Sequence, residues 1–313
     1  MLTALAPVLQ KAHRGRYAVG AFNINNLELA QGIMAAAEKL RAPVILQTSE
    51  GAIDYAGMEY LAAIAWVAAE RVKTPVVFHL DHGKNPSLVE RAIKSGFYTS
   101  VMIDGSHHPY KENVRVTKKI VAMAHRRGVS VEAELGAIAG IEDFVSVAER
   151  DARLTNPEEA RRFVRETGCD ALAVAIGTAH GVFKFKGAPK LDIPRLRKIK
   201  AATKLPLVLH GASGVDPKLR AALKDHCDDL HDCNRVKDAR GVSDALIRQA
   251  VRAGINKINI DSDLRLAFTA AVRSALMKDV KTVDPRKVVG PARDAVTDVV
   301  MGKMTLFGCA RKG

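Results

Sequence analysis

The chain has 313 residues, is 48% hydrophobic and carries a formal charge of +14, with its glycines and prolines scattered. That composition excludes collagen-like and disordered classes, and the length suits two average domains or one large α/β barrel. Four cysteines (Cys169, Cys227, Cys233, Cys309) are too few for a disulfide framework, so a reducing cytoplasm is the expected setting.

No run approaches the roughly 18 apolar residues of a membrane span. The N-terminal stretch MLTALAPVLQKAHRGR places its basic residues after its apolar ones, the wrong order for a signal peptide. The excess lysines and arginines are spread along helical segments such as KKIVAMAHRRG and RLRKIK, without aromatic interleaving. This pattern reads as solvated helix faces that attract phosphorylated small molecules, not as a dedicated nucleic-acid surface.

In chain order, short apolar or β-branched runs bounded by polar turns read as strands: VGAFNI (19–24), VILQTS (44–49), VVFHLD (76–81), SVMIDG (100–105), SVEAELG (130–136), ALAVAIG (171–177), LVLHG (207–211) and KINID (257–261). Helix-period segments such as LELAQGIMAAAEKLR, EYLAAIAWVAAERVK and NPEEARRFVRETG lie between them. Alternating strand and helix predicts a parallel sheet with right-handed crossovers. Eight such units in one chain predict a single (β/α)8 TIM barrel, with an open doubly wound sheet as the weaker alternative. An insertion around 215–241 and extra C-terminal helices from about 264 complete the expected domain.

Polar residues stand at the C-terminal end of nearly every expected strand: Asn23, Ser49, Asp81 with His82, Asp104, Glu134, His210, and Asn259 with Asp261. In a barrel those ends share one rim, where active sites are built. Three histidines there, His82, His180 and His210, each precede a glycine, which lets the backbone turn away. Three imidazoles with an open fourth position describe a catalytic zinc site. Strand alternation puts His79 and Asp81 on one face and His82 on the other unless the strand has ended; His79 reads as a supporting histidine.

The motifs HLDHG, EAELGAIAGIED, GTAHG, LHGASG and INIDSDLRLA resemble, in order, those of class II zinc-dependent fructose-bisphosphate aldolases, from VGAFNINNLE to DPRKVVGPARDA. That resemblance implies a (β/α)8 barrel that reversibly cleaves fructose 1,6-bisphosphate, a small-molecule substrate, in a homodimer or homotetramer. It implies that His82, His180 and His210 hold the catalytic Zn2+, and that Asp104 and Glu134 hold a second divalent ion or a buried resting position of the zinc. Alternation places Glu132 inward as well, so only the resemblance selects Glu134. Asp81 matches the base for the C4 hydroxyl, and Glu142 a glutamate on a mobile loop that exchanges the proton on the dihydroxyacetone-phosphate carbon; Asp143 competes with it. The segment from Ala137 to Thr155 is long for such a connection and reads as a closing lid.

By the same resemblance Gly181, Gly211, Ser213, Asn259, Asp261 and Ser262 bind the dihydroxyacetone-phosphate end. Lys184 adds charge, and Gly181, Gly211 and Ser213 also suit a monovalent cation, Na+ or K+. Asn23 and Ser49 face the substrate. Arg265 and Arg286 match the arginines that receive the second phosphate, in part across a subunit interface, which favours the fructose substrate over tagatose or sedoheptulose bisphosphates; Asp284 is a further substrate-side candidate. Ala139-Gly140, Ser262, His108 and Lys111 depart from the family pattern. HCDDLHDC (226–233) fits no standard zinc module and reads as part of a surface insertion.

Overall fold

The computed structural model describes residues 2–142, 145–147, 153–180, 190–214, 221 and 241–313, with backbone alone at 139–142, 145–147 and 180. Eight parallel strands close into a barrel: β1 (Val19–Asn23), β2 (Val44–Thr48), β3 (Val76–Gly83), β4 (Ser100–Ile103), β5 (Ser130–Leu135), β8 (Ala171–Val174), β10 (Leu207–Leu209) and β11 (Ile255–Ile260). Each falls on one of the eight expected runs. These strands are buried on both faces, which is why they read as nearly continuous apolar stretches.

Helices form the outer ring: α1 (Leu5–Gly15), α2 (Leu27–Leu40), α3 (Glu50–Ala56), α4 (Met58–Glu70), α5 (Pro86–Ser95), α6 (Tyr110–His125), α7 (Pro157–Thr167), α8 (Ile193–Thr203) and α9 (Asp244–Ala253). Their starts are written locally. Asn26, Asn85, Asn156 and Ser243 each accept a backbone N–H of the first turn, and α5, α7 and α8 carry proline there. Helix α1 precedes the first strand and lies against β5 and β11; its Ala6 N–H donates to Ser130 Oγ at the start of β5. On the outer wall Trp66 of α4 donates its indole N–H to the Phe97 carbonyl, tying α4 to the turn before β4.

Two long C-terminal helices, α10 (Ser262–Lys278) and α11 (Pro285–Phe307), follow the last strand. Helix α11 packs against α10 and α2. The approach to α2 is close at Gly32, where an added Cβ would lie 2.7 Å from the Arg293 carbonyl oxygen and 3.0 Å from Val296.

The expected lid contains secondary structure of its own. A three-stranded sheet joins β6 (Ala139–Glu142), β7 (Val145–Val147) and β9 (Ala179–His180), with β6 antiparallel to β7 and parallel to β9. The Ala137–Thr155 connection is therefore no plain loop: its first half pairs with the segment that carries His180. No helix among the described residues is long and apolar enough to cross a membrane.

Replacing Gly32 with valine should overpack the α2–α11 contact and cost about 1–3 kcal/mol. Urea unfolding of Gly32→Val against the parent protein measures it; an unchanged midpoint would show that the helices separate freely.

Candidate active site

Strand β3 delivers three polar side chains into the barrel mouth. His79 and Asp81 alternate inward, and strict alternation would turn His82 outward. The strand breaks that rule: the register of β3 on β4 shifts between Leu80 and Gly83, and His82 adopts a left-handed φ of 48°. Such a backbone is costly for a residue with a Cβ, and here it brings His82 to the same side as Asp81. The glycine that follows has a role other than the expected turn. Gly83 is needed for space, since a Cβ there would collide with the Met102 carbonyl and Val89. Gly211 after His210 does take a left-handed φ of 62°, and a Cβ on it would lie 2.5 Å from the Ala179 carbonyl oxygen. The GTAHG and LHGASG turns are thus in contact.

His82 and His210 meet at the rim, His82 Nε2 lying 2.8 Å from His210 Nδ1. The far nitrogens are committed elsewhere. His210 Nε2 is 2.8 Å from Glu132 Oε1, and His82 Nδ1 is 3.4 Å from Asp104 Oδ2. With each carboxylate accepting an N–H, the two facing nitrogens are left to share a single proton or to bind a metal ion. The surroundings supply the matching field. Burial works against charge on His82, but Asp81, Asp104 and Glu134 overcome it and push its pKa up to about 10.

Asp81, His82 and His210 form one group of converging ligand atoms, and His82, Asp104 and Glu134 a second, with His82 common to both. Burial raises the Glu134 carboxyl well above its ordinary value, reinforced by Asp104; burial also opposes charge on Asp104, but the His82 and Ser106 hydrogen bonds hold it low. The donor set of imidazole and carboxylate fits a divalent metal ion.

Glu132 and Glu134, inseparable by alternation, occupy different places. Glu132 lies deeper, bonded to His210 and 2.9 Å from the fully buried ammonium of Lys257. Burial would raise its carboxyl, yet Lys257 and then the His210 bond hold it well below the usual range. His79 sits in the same layer, its Nδ1 2.9 Å from Ser100 Oγ, and burial with the nearby Lys257 keeps it uncharged.

Asp81 is held by three amides: Asn259 Nδ2 donates to Oδ1 at 2.9 Å, and Asn23 Nδ2 and Gln47 Nε2 donate to Oδ2 at 3.2 and 3.0 Å. Gln47 was missed in the sequence, although the period that turns Asn23 inward on β1 turns Gln47 inward on its register partner in β2. Beyond the rim, Ser213 is buried, and the Gly214 N–H donates to Asp263, itself paired with Lys303 at 2.7 Å. Ser49 and Ser262 are buried at the starts of α3 and α10, where Ser49 accepts the Ala52 N–H.

A cavity of about 580 Å3 is walled by Asn25, Asn26, Tyr55, Arg265 and Phe268 among others, with none of the cluster residues in its lining. Arg265 grips Asp261 with two bonds, at 2.9 and 2.8 Å. Arg286 and Asp284 are not part of that wall: they pair with each other in the first turn of α11, with the arginine side chain 89% exposed. The structure therefore does not gather the two arginines. Gly181, Lys184, Asp143 and HCDDLHDC lie outside the described residues; His180 and Glu142 are placed by backbone only, with Gly140 of β6 opposite His180 of β9.

A family model described as class-II fructose-bisphosphate aldolase matches residues 3–312. The chain is 50% identical over 312 residues to the fructose-bisphosphate aldolase of Thermus caldophilus, covering 98% of each. It is 48% identical to that of Helicobacter pylori strain 26695 along the whole of both. Among solved structures, the YdjI aldolase of Escherichia coli K12 superimposes with a TM-score of 0.78 at 30% identity, covering 100% of this chain and 99% of that one. The fructose-bisphosphate aldolase of Campylobacter jejuni, at 21% identity and a TM-score of 0.77, shares the fold over 100% and 97% of the two chains.

Because Glu132 is held below its unfolded value near 4.5, its ion pair stabilises the fold fully above that pH and is lost progressively as pH falls through the folded value. Stability by urea titration should therefore decline below about pH 5, and Glu132→Gln should flatten that decline. A variant as acid-sensitive as the parent would contradict this.

Proposed function

Because the chain belongs to the class II fructose-bisphosphate aldolase family, we propose that it reversibly cleaves fructose 1,6-bisphosphate into dihydroxyacetone phosphate and glyceraldehyde 3-phosphate. The observation that carries this reading is the pair of converging imidazoles beside a carboxylate fixed by three amides. His82 and His210, joined by His180 from β9, would hold the catalytic ion, for which zinc suits the imidazole donors. When bound, such an ion polarises the C2 ketone and stabilises the negative charge that develops as the C3–C4 bond breaks.

The protein's own groups move the protons. Asp81 takes the C4 hydroxyl proton, the C4–O bond becomes the aldehyde carbonyl, and the C3–C4 electron pair stays on C3 in conjugation with C2. Glu142 then delivers a proton to C3 to release dihydroxyacetone phosphate; in condensation both transfers run backwards. The pairing of β6 with β9 supports this role, because it aligns the strand ending in Glu142 with the one carrying His180. Asp104 and Glu134 offer a second position for the metal ion, sharing His82.

The dihydroxyacetone-phosphate end is assigned to the Gly211–Ser213 turn, Gly181, Lys184 and the Asn259–Ser262 strand end, where backbone N–H groups suit an anion. A monovalent cation, Na+ or K+, fits the same turn. The other phosphate is assigned to the cavity beside Arg265, whose guanidinium would exchange Asp261 for phosphate. Arg286, exposed on α11, is available to a neighbouring subunit of a homodimer or homotetramer. The named relatives favour the fructose substrate over tagatose or sedoheptulose bisphosphates.

EDTA should abolish cleavage of fructose 1,6-bisphosphate by the purified protein, and zinc should restore it; a rate indifferent to the chelator sinks the metal-dependent reading. Asp81→Asn should lower kcat by about 10²–10⁴-fold with little change in KM, read from steady-state kinetics. Substitution without loss would assign the proton to another group.

A further inference from the structure

Lys257 is the one lysine among the fully buried side chains of the described core, and the proposed mechanism leaves it without a task. It stands on β11, two residues before Asn259, so alternation turns both into the barrel. Its ammonium makes two contacts, one towards His210 through Glu132 and one towards Asp81 through Asn259, whose amide nitrogen also lies 3.3 Å from His210 Nδ1. On one side it lies 2.9 Å from Glu132 Oε2, whose other oxygen, Oε1, is 2.8 Å from His210 Nε2. On the other it donates to Asn259 Oδ1 at 2.8 Å, while the Asn259 amide nitrogen donates to Asp81 Oδ1 at 2.9 Å.

We propose that Lys257 is a positioning residue that aligns the metal-binding imidazole of His210 and the proton-accepting carboxylate of Asp81 together, through Glu132 and Asn259 respectively. This inference rests on the aldolase reading of the site, which it deepens.

The chemistry of each arm is directional. A lysine ammonium is donor only, so it can bond Asn259 only through the amide oxygen. That contact decides the rotamer: with the oxygen facing Lys257, the NH2 group must face Asp81. Were the amide to flip, its oxygen would confront the Asp81 carboxylate and the hydrogen bond would become a repulsion. On the other arm the ammonium pins Oε2 of Glu132 and leaves Oε1 to accept the His210 N–H, which keeps Nδ1 as the nitrogen that faces His82. A hydrophobic residue of the same length would fill the space and set neither orientation.

A bland role competes with this one: Lys257 could serve only to neutralise Glu132 in the barrel interior. Two variants separate the roles. Lys257→Met removes both arms. Lys257→Met/Glu132→Gln also removes the stranded charge, while the amide oxygen that replaces the carboxylate is left, by design, to accept from His210. The double variant is charge-balanced and guards against a single variant that fails to fold.

Zinc affinity is measured on the apo-proteins by chelator competition, and kcat and KM on the zinc-saturated ones. Lys257→Met should bind zinc about 10- to 100-fold more weakly and, when saturated, lose about 10- to 100-fold in kcat at nearly constant KM. The double variant should recover zinc affinity to within a few-fold of the parent (order of magnitude) and keep the kcat deficit, because Asn259 still lacks its anchor. Recovery of both quantities, recovery of neither, or a single variant equal to the parent overturns the proposal. The zinc arm needs no turnover, and the parent rate is recorded alongside, so a protein that binds zinc as expected yet cleaves nothing would count against the aldolase reading alone.

Discussion

Two imidazole nitrogens facing each other 2.8 Å apart, one from His82 and one from His210, are the constraint around which the barrel mouth is arranged. A proton or a metal ion must join two nitrogens in that pose, and the positive charge it brings needs negative charge around it. Asp81 and Asp104 provide the negative shell, and Glu132 and Asp104 fix which nitrogen of each ring faces inward. The usual TIM-barrel interior is filled with branched apolar side chains. Here the layer beneath the His82–His210 cluster is polar, built from Gln47, His79, Ser100, Glu132, Lys257 and Asn259. It is tolerated because hydrogen bonds and the Lys257–Glu132 ion pair knit the layer together.

The way the chain reaches that geometry is as telling as the geometry. Consecutive strand residues point to opposite faces, and the site needs Asp81 and His82 on the same one. The local irregularity in β3 solves the conflict by spending backbone strain at His82 and removing the side chain at residue 83, so that β4 can still pair alongside. A regular strand would have been more comfortable and would have carried one functional group fewer.

Much of this was legible in the residues. Eight apolar runs separated by helix-period segments announced the barrel, because strand burial on both faces leaves an unbroken hydrophobic signature. Polar residues at the run ends announced the rim. Other features were hidden for physical reasons. Glu132 and Glu134 share a strand face, and only their depth, set by strand tilt and neighbours, separates them. Lys257 looks like a surface residue opening a strand until β5 supplies its carboxylate. Gln47 gave no chemical signal of its own, and its importance arises from Asp81 on the neighbouring strand β3. The β6–β7 hairpin escaped notice because glycine and alanine carry little strand preference, and its partner β9 lies some 40 residues on.

The chain has a single tryptophan, and its placement has a practical consequence. Trp66 is anchored by its indole N–H to Phe97 on the outer wall, whereas the rim residues described above project into the barrel mouth. Its emission is therefore a spectroscopic reporter of the α4 wall. A change in that emission on unfolding reads the loss of the α4 contact with Phe97.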